Sequence, residues 1–506
     1  MAEGIRRLAK DTAIYGLSSI IGRFLNWMLV PLYVRVLDTT GEYGIVTNLY
    51  GWTALLLVLL TYGMETGFFR FVNKKEETEP MRVYGTTLYS VAFTSSLFFA
   101  GCLLFLQPVS RATGYADHPE YIGMMAGIVA VDAFCCIPFA YLRYRNKAFR
   151  FAAIKFLSIG LNIFLNIFFL LICPWLYRLH PAWIEWFYQA DYGIGYIFVS
   201  NVFTSSLIFL LLIPYLLPGF RARMDPGRLK QLLPYSIPVL ILGAVGVFNQ
   251  NADKILFPYL FEDKDFAHAQ LGIYGACFKI AVVMMLFIQA FRYAYEPFVF
   301  AKDREHDSRK AYAEAMKYFI IFALILFIGV MFSMDVLKYF VSPEYYAGLS
   351  VVPIVMLGEL FYGIYFNLSV WYKLTDKTVW GARFAVIGCA VTIGIILLFV
   401  PRYGFMACAW ATFASNLLMM LLSYFVGQKH YPVSYDLRSA GTYALLAAGL
   451  YAAGMIPPVG NIYVRLLYRT VLGLLFIGFV IRKDLPLSQI LSVGRYFSRK
   501  NGNFKL

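Results

Sequence analysis

The sequence predicts an all-α, polytopic membrane protein of about fourteen transmembrane helices, and two observations carry that reading. Of 506 residues, 60% are hydrophobic and only 14% are charged, against about 25% charged in a soluble domain. A chain this apolar could not cover its surface with polar groups if it folded in water. The apolar residues also fall into runs of about 20, the length a helix needs to cross hydrocarbon. Phe and Tyr, 46 and 38 in number, suit both the lipid face and the headgroup belt. The net charge of +15 would suggest nucleic acid on a soluble chain. Here it resolves into loop charge, so no nucleic-acid partner is expected. Cys102, Cys135, Cys136, Cys173, Cys277, Cys389 and Cys408 lie in apolar segments or at their ends without a CxxC, which indicates neither a metal knuckle nor a disulfide framework.

The spans follow in order. Span 1 (11–36) is interrupted by Arg23, with Ser19 and Asn26 on the same face, and leads to no small-residue cleavage site, so no cleavable signal is expected. Span 2 (43–69) opens on Gly41-Glu42-Tyr43-Gly44 and carries Glu65 near its end. Span 3 covers 82–107. Span 4 (120–142) contains Gly123 and Gly127, a spacing for close helix packing, and the mid-span acid Asp132. Span 5 (150–173) leads into the longest loop, about 174–190, and span 6 covers 191–217. Span 7 (231–257) begins at Pro234 and Pro238, residues that kink helices, and ends in a polar group, Asn249, Gln250, Asn251 and Asp253. Span 8 (268–300) holds Lys279, Arg292, Glu296 and Pro297. Spans 9 to 12 are read at 312–334, 348–373, 378–400 and 404–427, with Glu359 inside span 10. Spans 13 and 14 (438–457 and 462–481) precede a basic tail whose apolar residues recur at helical spacing, as for a helix lying along inner headgroups. Every connection is too short for a soluble domain.

Lysine and arginine bias sets orientation. With the N-terminus cytoplasmic, the N-tail, the loops after even-numbered spans and the C-tail hold 32 of the 44 basic residues, so both termini are expected inside. An internal repeat then emerges. Gly41-Glu-Tyr-Gly44 matches Gly272-Ile-Tyr-Gly275, and at the same offset Tyr62, Glu65 and Phe69 match Tyr293, Glu296 and Phe300. One residue out of that register, Arg143, Asn146 and Lys147 match Lys373, Asp376 and Lys377. The repeating unit is six spans, an even number, so the halves are parallel and related by a pseudo-two-fold axis along the membrane normal. The expected organisation is a six-helix lobe at 1–218, a second at 219–430, two extra helices at 431–481 and a cytoplasmic tail at 482–506. Two lobes around a cleft is the geometry of alternating access.

The stretch from Ile21-Gly-Arg-Phe-Leu-Asn-Trp through Pro31-Leu-Tyr-Val-Arg35, with the following Gly41-Glu-Tyr-Gly44, resembles the start of Wzx-type oligosaccharide flippases. These belong to the multidrug/oligosaccharidyl-lipid/polysaccharide (MOP) exporter superfamily. Leu271 through Lys279, and Asn367 through Thr378, resemble later parts of the same family, so the resemblance covers nearly the whole chain. It implies two six-helix lobes and movement of an undecaprenyl-pyrophosphate-linked glycan from the cytoplasmic to the outer leaflet of a bacterial inner membrane, alongside polysaccharide polymerase machinery. The MurJ-like lipid II flippases are relatives, but their arginine-aspartate pattern is not seen in span 1, which puts the peptidoglycan precursor second.

Ionisable groups at mid-helix cost about 2.5–3.5 kcal/mol on insertion scales and normally face protein or water. On the resemblance, Arg23, Asn26, Lys279 and Arg292 are the candidate substrate-binding residues: fixed cations replace the water around a pyrophosphate, and Arg offers it bidentate bonds. The opposing expectation is that each cation ties helices together through a carboxylate. It is strongest for Arg292, with Glu296 one turn away. Lys279 and Arg292 stand about 20 Å apart along the helix and some 140° around it, so one wall cannot present both equally. Glu65 and Glu296 are candidate gate residues, and Asp132, Asp253 and Glu359 candidate proton or sodium sites, each set against a packing role. No resident cofactor or metal is expected, since the five histidines lack ligand spacing. A membrane-embedded glycosyltransferase or polymerase needs paired acids on a large loop, and the 174–190 loop has only His180 and Glu185. A cationic-drug exporter of the same superfamily would need an anionic cleft, the opposite sign to Arg23 and Lys279.

Overall fold

A computed structural model describes residues 20–74, 78–302, 308–375, 377–456 and 461–484. The side chains of Glu296 and Pro297, the residue Ser19 and nearly all of the C-terminal tail lie outside the described residues. The described chain is helical: α1 (20–27), α2 (Val30–Val36), α3 (Thr40–Thr61), α4 (Met64–Val72), α5 (Pro80–Leu104), α6 (Leu106–Thr113), α7 (Pro119–Tyr144), α8 (Ala148–Ile167), α9 (Cys173–Leu179), α10 (Gly195–Arg221), α11 (Pro226–Leu256), α12 (Lys264–Lys302), α13 (Ser308–Phe332), α14 (Met334–Leu337), α15 (Val351–Leu368), α16 (Val370–Leu374), α17 (Val379–Tyr403), α18 (Phe405–His430), α19 (Leu437–Met455) and α20 (Ile462–Lys483). Among the described residues, twelve helical segments are long and apolar enough to cross a membrane. With α19 and the α1–α2 segment, they occupy the places of all fourteen expected spans. The chain is a multi-pass membrane protein.

The helices form two compact units. The first takes residues to Lys279, Val341–Val352 and Thr378–Met419; the second takes Ile280–Phe340, Pro353–Lys377 and Met420 onward. In the first, a core of aromatic and branched side chains, among them Met64, Phe68, Tyr84, Leu88, Leu212 and Leu232, is closed to solvent between α4, α5, α7, α10 and α11. Tyr84 stacks on Tyr141 at 4.3 Å and donates its hydroxyl to the Tyr215 carbonyl at 2.8 Å, so the phenol is satisfied where it is buried.

The two matching glycine motifs meet. A β-carbon on Gly44 would lie 1.8 Å from the His268 carbonyl oxygen, and one on Gly272 would lie 1.8 Å from that of Thr40. Only glycine allows the backbones of α3 and α12 to approach so closely. The motif was therefore duplicated where two helices cross, and each copy packs against the other.

The second expected span is divided. Tyr62 (φ 31°) and Gly63 (φ 72°) adopt the left-handed region and end α3. A β-carbon on Gly63 would stand 2.6 Å from the Ser236 carbonyl oxygen of α11, so glycine is required there both by conformation and by space. The prolines of span 7 do not divide α11, which runs unbroken from Pro226 to Leu256.

In the second unit, α13 and the short α14 that follows it are tied to α19 and α20 at both ends. At one end Asp335 accepts from Arg465 Nε at 2.6 Å and Nη2 at 2.8 Å, and from Arg469 Nη1 at 2.8 Å. Arg469 also donates Nε to the Gly454 carbonyl at 3.0 Å. At the other end Lys317 and Tyr443 both bond Asp484, and Lys317 lies 3.7 Å from Asp436.

Candidate functional site

The site begins with α1. Gly22 places this helix against α8, where a β-carbon would stand 2.7 Å from Ile159. Trp27, which stacks on Phe24 at 5.5 Å, donates its indole N–H to the Lys279 carbonyl at 2.6 Å. The first unit thus brings the Arg23 helix against α12 at the turn carrying Lys279, 252 residues away in sequence. Arg23 and Asn26 are exposed and Lys279 is half-buried. Among the described residues no carboxylate lies in ion-pair contact with Arg23 or Lys279. At the repeat offset, Lys279 stands where the first copy has Asn48, which is buried and donates to the Lys254 carbonyl at 2.7 Å.

The nearby acid is occupied. Asp253 is buried, accepts the Tyr274 hydroxyl at 2.6 Å and pairs with Lys254 at 3.1 Å. Lys254 lies close enough for its charge to bear on Lys279. Thr392 donates to Asn249 at 2.6 Å. Asn249 and Asp253 are thus tied to neighbouring helices, while Gln250 between them is exposed.

A second group of charges lies between α4, α7, α8 and α10. Because α3 ends at Gly63, Glu65 falls in the first turn of α4, and Arg143 in the last turn of α7. Each charge complements its helix dipole, and the two form an ion pair. Their repeat counterparts are Glu296 and Lys373. Lys373 and Arg292 approach Phe366 at 4.6 and 4.9 Å within the second unit. Asp132 accepts the Ser205 hydroxyl at 2.8 Å. Lys155 lies over Phe139 at 4.2 Å and within electrostatic reach of Asp132 and Glu65. Lys155 lies near the start of expected span 5, where it counts with the basic residues of the preceding loop; the structure places it inside α8, within reach of acids that the sequence does not connect to it. Glu359 is buried in α15. Asp335, Arg465 and Arg469 also escaped notice, because charges near span edges count as loop charges.

With this geometry in view, the comparisons decide the family. The family model described as polysaccharide biosynthesis protein matches residues 8–299. The chain belongs to that family. No curated protein matches the sequence significantly. Among solved structures, this family member resembles a lipid II flippase MurJ in an inward closed conformation, with TM-score 0.70, 14% identity, and 94% of this chain and 99% of that one covered. An inward-facing MATE family multidrug resistance transporter of the MOP superfamily matches with TM-score 0.62 and 12% identity over 84% and 97%. The MATE multidrug transporter DinF-BH with R6G matches with TM-score 0.57 and 17% identity over 82% and 94%. The family member therefore has the fold of these MurJ and MATE transporters.

Proposed function

We propose that the protein is a flippase that carries an undecaprenyl-pyrophosphate-linked oligosaccharide from the cytoplasmic to the outer leaflet of a bacterial inner membrane by alternating access, for cell-surface polysaccharide synthesis. The observation that carries this reading is the pair of basic side chains, Arg23 and Lys279, held on adjoining helices by the Trp27 bond without an acidic partner in contact among the described residues. A diphosphate must cross a medium that excludes it, and fixed cations that are not already neutralised can take the place of its water. Membership of the polysaccharide biosynthesis family supports the glycan as cargo.

In this reading the expected lobes, 1–218 and 219–430, enclose the cationic chamber, both termini are cytoplasmic and the lipid tail stays in the bilayer. Glu65 with Arg143, and by repetition Glu296 with Lys373, close the cytoplasmic side. Polymerase machinery receives the product outside. The test is movement of a fluorescent lipid-pyrophosphate-oligosaccharide between leaflets of proteoliposomes, beside lipid II and a cationic dye. Flipping of the oligosaccharide lipid supports the proposal. Flipping of lipid II alone moves the cargo to the peptidoglycan precursor, and export of the dye alone makes the protein a drug exporter.

A further inference from the structure

The segment between α9 and α10 leaves its two tryptophans bare. Ile184, Tyr188 and Tyr196 are buried beneath it. Phe187 stacks on Phe168 at 6.3 Å and Tyr188 on Tyr196 at 5.0 Å, while the Tyr196 hydroxyl accepts the Gln189 amide at 2.6 Å. The loop is thus fixed on an aromatic base. Yet Trp183 is 65% exposed and Trp186 is 83% exposed. Their orientation is set as well: Trp183 stacks on His180 at 4.6 Å, and Trp186 donates its indole N–H to the Trp183 carbonyl at 3.1 Å. Glu185 and Gln189 are exposed beside them.

Helix length argues against lipid as the cover. From Arg150 to Leu179 the helical path rises about 43 Å, and from Arg221 back to Gly195 about 39 Å. With both arginines at the inner edge of a hydrocarbon layer of about 30 Å, the loop starts about 9–13 Å above the outer edge. The headgroup layer is only about 5–8 Å deep. Two large, rigid apolar faces standing in water mark a binding surface. Aromatic rings anchor recognition at little conformational cost, and the C–H face of a pyranose is an apolar surface that stacks on indole, while carboxylate and amide groups meet its hydroxyls.

We propose that this loop is a saccharide-binding platform, with Trp183 and Trp186 taking sugar rings of the emerging glycan and Glu185 and Gln189 engaging their hydroxyls. The inference rests on the proposed function for the side of the membrane and the class of ligand. Its test is hydroxyl-radical footprinting of the full chain in lipid nanodiscs, read residue by residue by mass spectrometry. The probe is oligosaccharide released by mild acid from the lipid-linked precursors of the producing cells. Trp183 and Trp186 are expected to oxidise readily without glycan and to be protected by it. Trp183→Ala should raise the half-protecting concentration at Trp186 about tenfold, with Trp183→Phe keeping most of the protection. Oxidation as slow as at the exposed, apolar-helix residue Phe164 would put the loop in lipid and overturn the proposal, as would absence of protection. The leaflet assay separates the two claims: flipping without protection removes only the platform, and protection without flipping removes only the transport reading.

Discussion

Two pairs of cations sit in helices of this protein and have opposite surroundings. Arg465 and Arg469 of α20 close on Asp335 with three bonds of 2.6–2.8 Å. Arg23 and Lys279 meet no carboxylate among the described residues, although Asp253 is near enough to serve the neighbouring Lys254. The first pair is held by a partner and fastens α20 to α14, just beyond the end of α13. The second has charge to spare. A cation in an apolar helix is therefore not by itself evidence of a binding role; what its neighbours leave unneutralised is.

The largest effect expected from breaking this contrast is at the paired site. Asp335→Ala strands two mostly buried arginines and should cost about 3–5 kcal/mol of stability, seen as a lower melting temperature in detergent, with transport per folded molecule near wild type. Loss of transport at normal stability would give the cluster a functional role instead. Next comes the Glu65–Arg143 pair, which is part-exposed and so should hold less than about 1 kcal/mol of stability. Glu65→Gln and Arg143→Gln are expected to alter flipping rate alike, with the double variant no worse than either single one, a coupling that a double-mutant cycle reads directly. Additive effects would mean that the two residues do not act as a gate.

The smallest effect is pH dependence at the far end of α20. Burial pushes the Asp484 carboxyl up, but the bonds and charge from Lys317 and Tyr443 outweigh it and hold the group below its ordinary 3.8. A depressed folded-state value gives stability that is present above the unfolded value and lost as pH falls through the folded one. Protection from hydrogen exchange at the end of α20, taken relative to the unfolded-chain rate at each pH, should therefore be flat from about pH 7 to about pH 5 and should fall only below about pH 4. A fall near neutrality would point to another group.

The helices were legible in the sequence because hydropathy over a membrane thickness is a strong signal, and all fourteen expected spans have helices in their places. The glycine repeat was legible too, but not that its copies touch, since a spacing along the chain carries no contact information. Partnerships were the hidden part. Arg143 and Glu65 were both visible as repeat positions, yet their pairing depends on the α3–α4 break at Tyr62 and Gly63. Tyrosine gives no signal for a left-handed backbone, whereas Pro234 and Pro238 signal a kink where α11 runs on. Lys155 and the Asp335 cluster were hidden because positive-inside counting assigns charges near span ends to loops. Arg23 and Lys279 were visible as intramembrane charges, and only the Trp27 bond reveals that they stand on adjoining helices.

The central claim is most directly tested by binding of undecaprenyl pyrophosphate to the full chain in nanodiscs, measured for Arg23→Gln, Lys279→Gln and Arg465→Gln at equal folded concentration. Losing one charge-assisted phosphate contact should weaken binding about tenfold or more in each of the first two, while Arg465→Gln should bind as wild type. Unchanged affinity in Arg23→Gln and Lys279→Gln would contradict the account.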